Sequence, residues 1–329
     1  MNNSLTLLRA IACLSVLLAH SVGILKDNFF IDFGIISAGH LVIGVDIFFV
    51  LSGYLMARTS YNKKISDFYI SRFFRIVPLY WIVNFTYLFL VILFSKYIST
   101  TIDVESFVAS LIFVHKLIYG LSPIINVGWT LEYEMLFYFI FGLVFVKNKG
   151  KKHLFTLFIT MVVIAFIFKA FIVIEFLFGI IVFIVSRDYK TIIKKYDTYL
   201  LIVVFFLFIG TTFTPIEEIT TIRFIVFGLP SFLIVLWASV QDKSYRYFVT
   251  LIGMSSYSIY LTHMIFLSIF IKIFNYYLEA DKFYNIFLLI LILLWALFLG
   301  ILVYLFIEKP LNNFLKKYQP GIKNVKESI

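Results

Sequence analysis

Charge is scarce in this sequence. Only 14% of its residues are Asp, Glu, Lys or Arg, against roughly 25% in soluble domains. With 62% hydrophobic residues beside it, that scarcity excludes an ordinary soluble domain and identifies an integral membrane protein. The single cysteine, Cys13, excludes an intrachain disulfide and a cysteine-based metal cluster, and no metal is expected. Six prolines and fifteen glycines leave few helix breakers. The apolar runs are continuous rather than alternating, which excludes a β-barrel. No repeat is visible of the kind that builds inverted-repeat transporters.

What is present is apolar length. Ten segments can cross a bilayer, at about 5–25, 40–57, 77–95, 128–146, 154–169, 171–186, 198–214, 222–240, 250–273 and 284–307. The stretch 104–120 is apolar but short and carries His115 and Lys116, so an interfacial or re-entrant helix is expected there. The first segment is like a signal peptide. Because Arg9 interrupts it and no small-x-small cleavage site follows, it is expected to stay as an uncleaved helix.

Basic residues set the orientation. With the N-terminus inside, Lys26, Lys96, Lys116, Lys169, Arg223, Lys272 and Lys282 are the seven on the far side, and the other 21 of the 28 Lys and Arg are cytoplasmic. An eleventh span at 104–120 would place the KNKGKK and RDYKTIIKK runs outside. The expected fold class is therefore an all-α integral membrane protein, a bundle of about ten transmembrane helices with both termini cytoplasmic. Residues 1–310 form one transmembrane domain and 311–329 a short basic cytoplasmic tail. No soluble domain is expected beyond it. The net charge of +10 reflects this topology and contact with anionic lipid, not nucleic-acid binding.

Against that apolar background the ionisable residues stand out. Arg9 and His20 lie in one segment, LTLLRAIACLSVLLAHSVGIL. Eleven residues at ~100° each make three turns plus ~20°, which puts both on one helix face ~16 Å apart. Intramembrane ionisable groups are expensive and mark function. A neutral His20 is suited to act as general base on an alcohol.

Further motifs follow along the chain. GVDIFFVLSGYL holds Asp46 near one end, either paired with a cation in the bundle or set among headgroups, and Ser52 and Gly53 near the other, where they permit close helix packing. RFFRIVPLYW places Arg72 and Arg75 on one face beside the cytoplasmic interface, two forks able to grip phosphate. WTLEYEMLFYF holds Trp129, Glu132 and Glu134. The two carboxylates are two residues apart, so at most one is expected to meet the His20 stripe. GMSSYSIYLTHMIF sets Ser255, Tyr257, Ser258, Thr262 and His263 on one helix, with His263 either a second site histidine or a packing residue. FIEKP, with Glu308 and Lys309, ends the last helix, and Pro310 is expected to stop it.

The ordered set of these motifs resembles the membrane-bound acyltransferase 3 family, especially its exopolysaccharide and O-antigen O-acetyltransferase branch. The likeness runs from Arg9 to Pro310. It rests on Arg-x10-His at Arg9 and His20, FFxxSG at Phe48, Phe49, Ser52 and Gly53, and Arg-x-x-Arg at Arg72 and Arg75. It also rests on Trp-Thr-Leu-x-x-Glu at Trp129, Thr130, Leu131 and Glu134, which leaves Glu132 an extra, and on SYSxYLxH from Ser256 to His263. Many relatives carry an additional esterase-like domain that this sequence lacks, which argues against the two-domain peptidoglycan O-acetylating type.

The resemblance implies a multi-pass protein of the bacterial inner membrane. It would pass an acyl group, acetyl by default, from cytoplasmic acetyl-CoA to a hydroxyl of a polysaccharide or its lipid-linked precursor. Under it, His20 is the base or transient acyl carrier, and Arg9 contacts the donor or steadies developing negative charge. Glu134 orients His20, and His263 is a reserve acid or base. Arg72 and Arg75, with Lys63 and Lys64, hold the donor phosphates. Asp46, Trp129, Glu132 and Tyr257 face the acceptor. The rival is a transporter or flippase of a glycolipid or organic anion, which the missing repeat disfavours. A scaffold role leaves the Arg9–His20 alignment unexplained.

Overall fold

The computed structural model describes residues 3–29, 38–60, 64–94, 102–146, 151–214, 222–241, 243–277 and 285–316. Every regular element among them is helical. The helices are α1 (Asn3–Phe29), α2 (Ala38–Leu41), α3 (Ile43–Ser60), α4 (Ile65–Leu93), α5 (Val104–Leu111), α6 (His115–Tyr119), α7 (Gly128–Phe141) and α8 (Lys151–Ile167). They continue as α9 (Ile174–Asp188), α10 (Lys190–Lys195), α11 (Asp197–Thr212), α12 (Gly228–Val240), α13 (Tyr247–Tyr277), α14 (Asn285–Val303) and α15 (Lys309–Leu315).

Among the described residues six helices are long and apolar enough to cross a membrane: Asn3–Asn28, Gly39–Ser60, Ile65–Leu93, Ile222–Val240, Tyr247–Ile273 and Ile286–Leu315. Two shorter apolar helices, His153–Ile167 and Asp197–Thr212, stand beside them. The remaining two expected spans are helical but irregular. The α7 helix runs into a π-helical stretch at Gly142–Val146, and a 3-10 turn at Phe171–Val173 leads into α9. The stretch 104–120 folds as the two short helices α5 and α6. Asp103 caps α5 by accepting a 2.7 Å hydrogen bond from the Ser106 amide.

Two boundaries depart from the sequence pattern. The α4 helix starts at Ile65, well ahead of the expected 77, because the SDFYISRFF stretch carries no breaker and Pro78 is absorbed inside the helix. Arg72 and Arg75 therefore stand on a continuous helix. Pro310 does not stop the last helix, which continues to Leu315. A π-helical stretch at Tyr304–Glu308 precedes it, and Pro310 then falls at the opening of α15, where its missing N–H costs least.

The α3 helix is the hub, with 72% of its spanning window buried. It runs parallel to α9, Asp46 lying beside Glu175 and Tyr54 beside Phe183. The two backbones touch. A methyl group on Gly53 would collide with the Phe176 carbonyl, and one on Gly179 with the Val50 carbonyl. The α1 helix lies parallel to α13, so Thr6 meets Gly253, Arg9 meets Ser256 and His20 meets His263. By contrast α14–α15 is peripheral: 22% of its window is buried, and Phe287, Leu294 and Phe298 are exposed, as on a lipid-facing helix.

Candidate active site

Five helices bring the singled-out residues together. Arg9 extends from α1, Ser52 from α3, Arg72 and Arg75 from α4, Glu134 and Tyr138 from α7, and Ser256, Tyr257 and Tyr260 from α13. All of them line one cavity of ≈ 140 Å³, with an apolar wall that includes Phe48, Phe49 and Met56.

The three guanidinium groups are held differently. Arg9 donates through Nε and Nη2 to Ser256 Oγ, at 3.2 and 3.0 Å. Arg72 lies over the Tyr138 ring, 5.9 Å from its centre, and its Nε donates weakly to Ser71 Oγ at 3.4 Å. Arg75 lies over the Tyr257 ring at 6.0 Å and pairs with Glu308, Nη1 to Oε1 3.4 Å. Glu308 is buried and also accepts a 2.5 Å hydrogen bond from Ser258. Among the described residues no carboxylate lies within ion-pair distance of Arg9 or Arg72. Cationic groups in an apolar setting without such partners are costly unless an anion joins them.

Facing them is a compact oxygen cluster. Ser52 Oγ donates to Glu134 Oε1 at 2.6 Å, and the Tyr138 hydroxyl donates to the same oxygen. Ser52 Oγ and the Tyr138 hydroxyl are 3.1 Å apart. Tyr138 follows Glu134 by four residues, so both point from one face of α7. Glu134 is thus engaged by Ser52 and Tyr138, not by His20 as the sequence reading expects.

The histidines sit behind the cavity wall. His20 and His263 have ring centres 5.1 Å apart, tilted by 43°. His263 Nδ1 lies 2.6 Å from the Tyr260 carbonyl, which fixes the proton on that nitrogen, and its buried Nε2 has no hydrogen-bond partner. Neither histidine lines the cavity. Tyr260 stands between, its ring 5.9 Å from that of His263 and its hydroxyl 2.7 Å from Thr130 Oγ1. The Arg9–His20 stripe is therefore divided: one end opens on the cavity, the other on a histidine pair one aromatic layer away.

Other expected site residues are used elsewhere. Asp46 takes a bidentate ion pair from Arg223, 2.9 and 2.7 Å, with the buried Glu175 beside it. Buried carboxylates seek such partners, and Arg223, near the start of an apolar helix, supplies one. Glu132 is fully buried and accepts the backbone N–H groups of Lys116 and Leu117, at 2.7 and 3.3 Å, so it tethers α6. Trp129 is half-buried against Tyr133 and lines no cavity wall. Lys64 is exposed just before α4, and Lys63 lies outside the described residues.

Sequence reading missed Ser52, Tyr138, Tyr260 and Glu308 as site residues. Ser52 reads as a packing residue, because a serine before glycine fits that role equally well. Glu308 carried a usable signal, an acidic residue closing an apolar helix that would need a cation.

Comparison with known proteins follows the same outline. Residues 2–308 match the family model of the acyltransferase 3 domain. The exopolysaccharide production protein ExoZ of Rhizobium meliloti (strain 1021) is 35% identical over 104 residues, 30% of this chain and 32% of that protein. YrhL of Bacillus subtilis (strain 168), provisionally named a peptidoglycan O-acetyltransferase, is 32% identical over 169 residues, 44% of this chain and 24% of that protein. The matched stretches thus span a third or less of these curated relatives. No solved structure matches.

Proposed function

The chain belongs to the acyltransferase 3 family, and from that premise we propose that it moves an acyl group, acetyl by preference, from cytoplasmic acyl-CoA to a hydroxyl of a cell-surface polysaccharide or its lipid-linked precursor. The observation that carries this reading is the cavity lined by Arg9, Arg72 and Arg75, two of them without carboxylate partners among the described residues. Such a set suits a polyanionic donor, because guanidinium forks bind phosphate bidentately and the low dielectric strengthens each contact.

Ten crossings follow if α8, α11, the stretch 128–146 and the stretch 171–188 are counted with the six long spans. An even count leaves both termini on one side, and in this reading the bias of Lys and Arg makes it the cytoplasmic side of a bacterial inner membrane, with Arg72 and Arg75 near it, where acyl-CoA is available. The parallel course of α1 and α13 requires an odd number of crossings between them, which an added span at 104–120 would break.

In this reading Arg72 and Arg75 hold donor phosphates, with Lys64 at the rim. Arg9 steadies negative charge that develops on the acyl carbonyl oxygen. His20 takes the proton of the acceptor hydroxyl, and His263 keeps the His20 ring in place from a position fixed by the Tyr260 carbonyl. Tyr257 shapes the cavity wall next to Arg75. The acyl group stays away from bulk water because the cavity wall is largely aromatic and aliphatic.

The test is direct. The purified protein in lipid nanodiscs is incubated with isotope-labelled acetyl-CoA and glycan extracted from cells deleted for it. Labelled ester on the glycan is expected with wild type and is absent with His20→Ala expressed at the same level. Transport of a labelled glycolipid with no acyl transfer would establish the rival reading.

A further inference from the structure

The cavity holds a nucleophile of its own. We propose that Ser52 carries the acyl group as a covalent ester between donor and acceptor, with Glu134 as its base. This rests on the acyltransferase reading above and adds an intermediate to it.

The geometry has the parts that an activated serine needs. Ser52 Oγ is 2.6 Å from Glu134 Oε1, with the hydroxyl as donor. Tyr138 binds the same carboxylate oxygen and touches Ser52 Oγ at 3.1 Å, so it orients both groups. Arg72 packs over the Tyr138 ring. The Ser52 backbone is fixed by its neighbour, because Gly53 is clamped against the Phe176 carbonyl of α9. A nucleophile on a rigid helix crossing is better placed than one on a loop.

Cavity size favours sequential use. At ≈ 140 Å³ the space is below the roughly 300–1,000 Å³ of ordinary small-molecule pockets. A small space beside the serine favours one substrate at a time. The histidine pair, on the other side of Tyr260, does not line it. A covalent ester lets the donor leave before the acceptor arrives.

The chemistry balances without a further reagent. Ser52 Oγ bonds to the thioester carbonyl carbon, and its proton passes to Glu134. The C–S bond then breaks, Glu134 returns the proton to the departing sulfur, and the thiol leaves. In the second half His20 takes the proton of the acceptor hydroxyl, the acceptor oxygen bonds to the acyl carbon, the bond from that carbon to Ser52 Oγ breaks, and one proton, the net equivalent of the one His20 took up and then gives back, restores the serine hydroxyl. The two half-reactions sum to transfer from thioester to alcohol.

The experiment omits the acceptor. The full chain in nanodiscs is mixed with isotope-labelled acetyl-CoA, quenched in acid and digested, and the peptide bearing Ser52 is weighed. The expected result is one acetyl on Ser52, a burst of about one thiol per protein, and loss of the label when glycan is added. Ser52→Ala takes no label and loses glycan acetylation, whereas Ser52→Cys holds the acetyl as a thioester. An unlabelled Ser52 in protein that acetylates glycan in a parallel tube overturns the ester intermediate and leaves the acyltransferase reading standing. So does a Ser52→Ala protein that keeps the wild-type rate. Wild-type protein that neither takes label nor acetylates glycan overturns both.

Discussion

Replacing Arg72 by alanine isolates the role of the donor-binding cations, because Arg72 has no carboxylate among the described residues to strand. Its guanidinium lies over the Tyr138 ring at the cavity wall. If it binds a donor phosphate, its loss removes charge-assisted hydrogen bonds worth about 1.5–3 kcal/mol. That converts to a rise of about 10- to 150-fold in KM for acetyl-CoA, with kcat little changed. The assay is thiol release against donor concentration at saturating glycan, repeated with acetyl-pantetheine, which lacks the nucleotide phosphates. Wild type is expected to prefer acetyl-CoA strongly, and Arg72→Ala to lose most of that preference while using acetyl-pantetheine as well as wild type does. Arg75→Ala serves as a contrast. It also deprives the buried Glu308 of its cation, so a stability loss of about 1–3 kcal/mol accompanies the KM effect, and Glu308→Gln in the same chain recovers the stability but not the KM. An unaltered KM for acetyl-CoA in Arg72→Ala, or an equal KM loss for acetyl-pantetheine, would refute phosphate binding at this position.

Other substitutions probe the frame around the cavity. Gly53→Ala forces a methyl group into the Phe176 carbonyl, and an overpacking cost of about 1–3 kcal/mol is expected as a lowered midpoint in detergent thermal unfolding. An unchanged midpoint would mean that α3 and α9 separate freely. Asp46→Asn weakens the bidentate pair with Arg223, lying apart from the cavity lining. Reduced stability with an unchanged KM for donor is expected, and a selective donor effect would place Asp46 in the site after all. Tyr260→Phe removes the hydrogen bond to Thr130 and loosens the layer between the cavity and the histidines. Faster hydrolysis of acetyl-CoA without acceptor is the expected readout, and an unaltered hydrolysis rate would show that this hydroxyl does not hold the layer in place.

Helices and their charges were readable from the sequence because a membrane span is a local property. Each run such as 5–25 or 250–273 declares itself by length and hydropathy. The Arg-x-x-Arg spacing and the Arg9 position were readable for the same reason, and both arrive at one cavity. Partnerships were not. Asp46 and Arg223 are separated by 177 positions, Ser52 and Glu134 by 82, and nothing local tells which cation meets which carboxylate. The shared stripe of Arg9 and His20 was a correct helical construction, yet their neighbours on α13 divide its two ends between a cavity and a histidine pair. Pro310 misled because the rule that proline ends helices has an exception at a helix opening, and the π-helical stretch before it creates one.

The pairing of α1 with α13 has a consequence for biosynthesis. Arg9 emerges from the ribosome 247 residues before Ser256, the side chain that receives its hydrogen bonds. At about 5–20 residues per second, that interval is roughly 12–50 s. Throughout it the nascent first helix carries a cation into the bilayer with its eventual companion not yet made, so the insertion machinery or headgroups must shelter it meanwhile. Chains truncated ahead of α13 are accordingly expected to be degraded as orphans, however well their earlier helices insert.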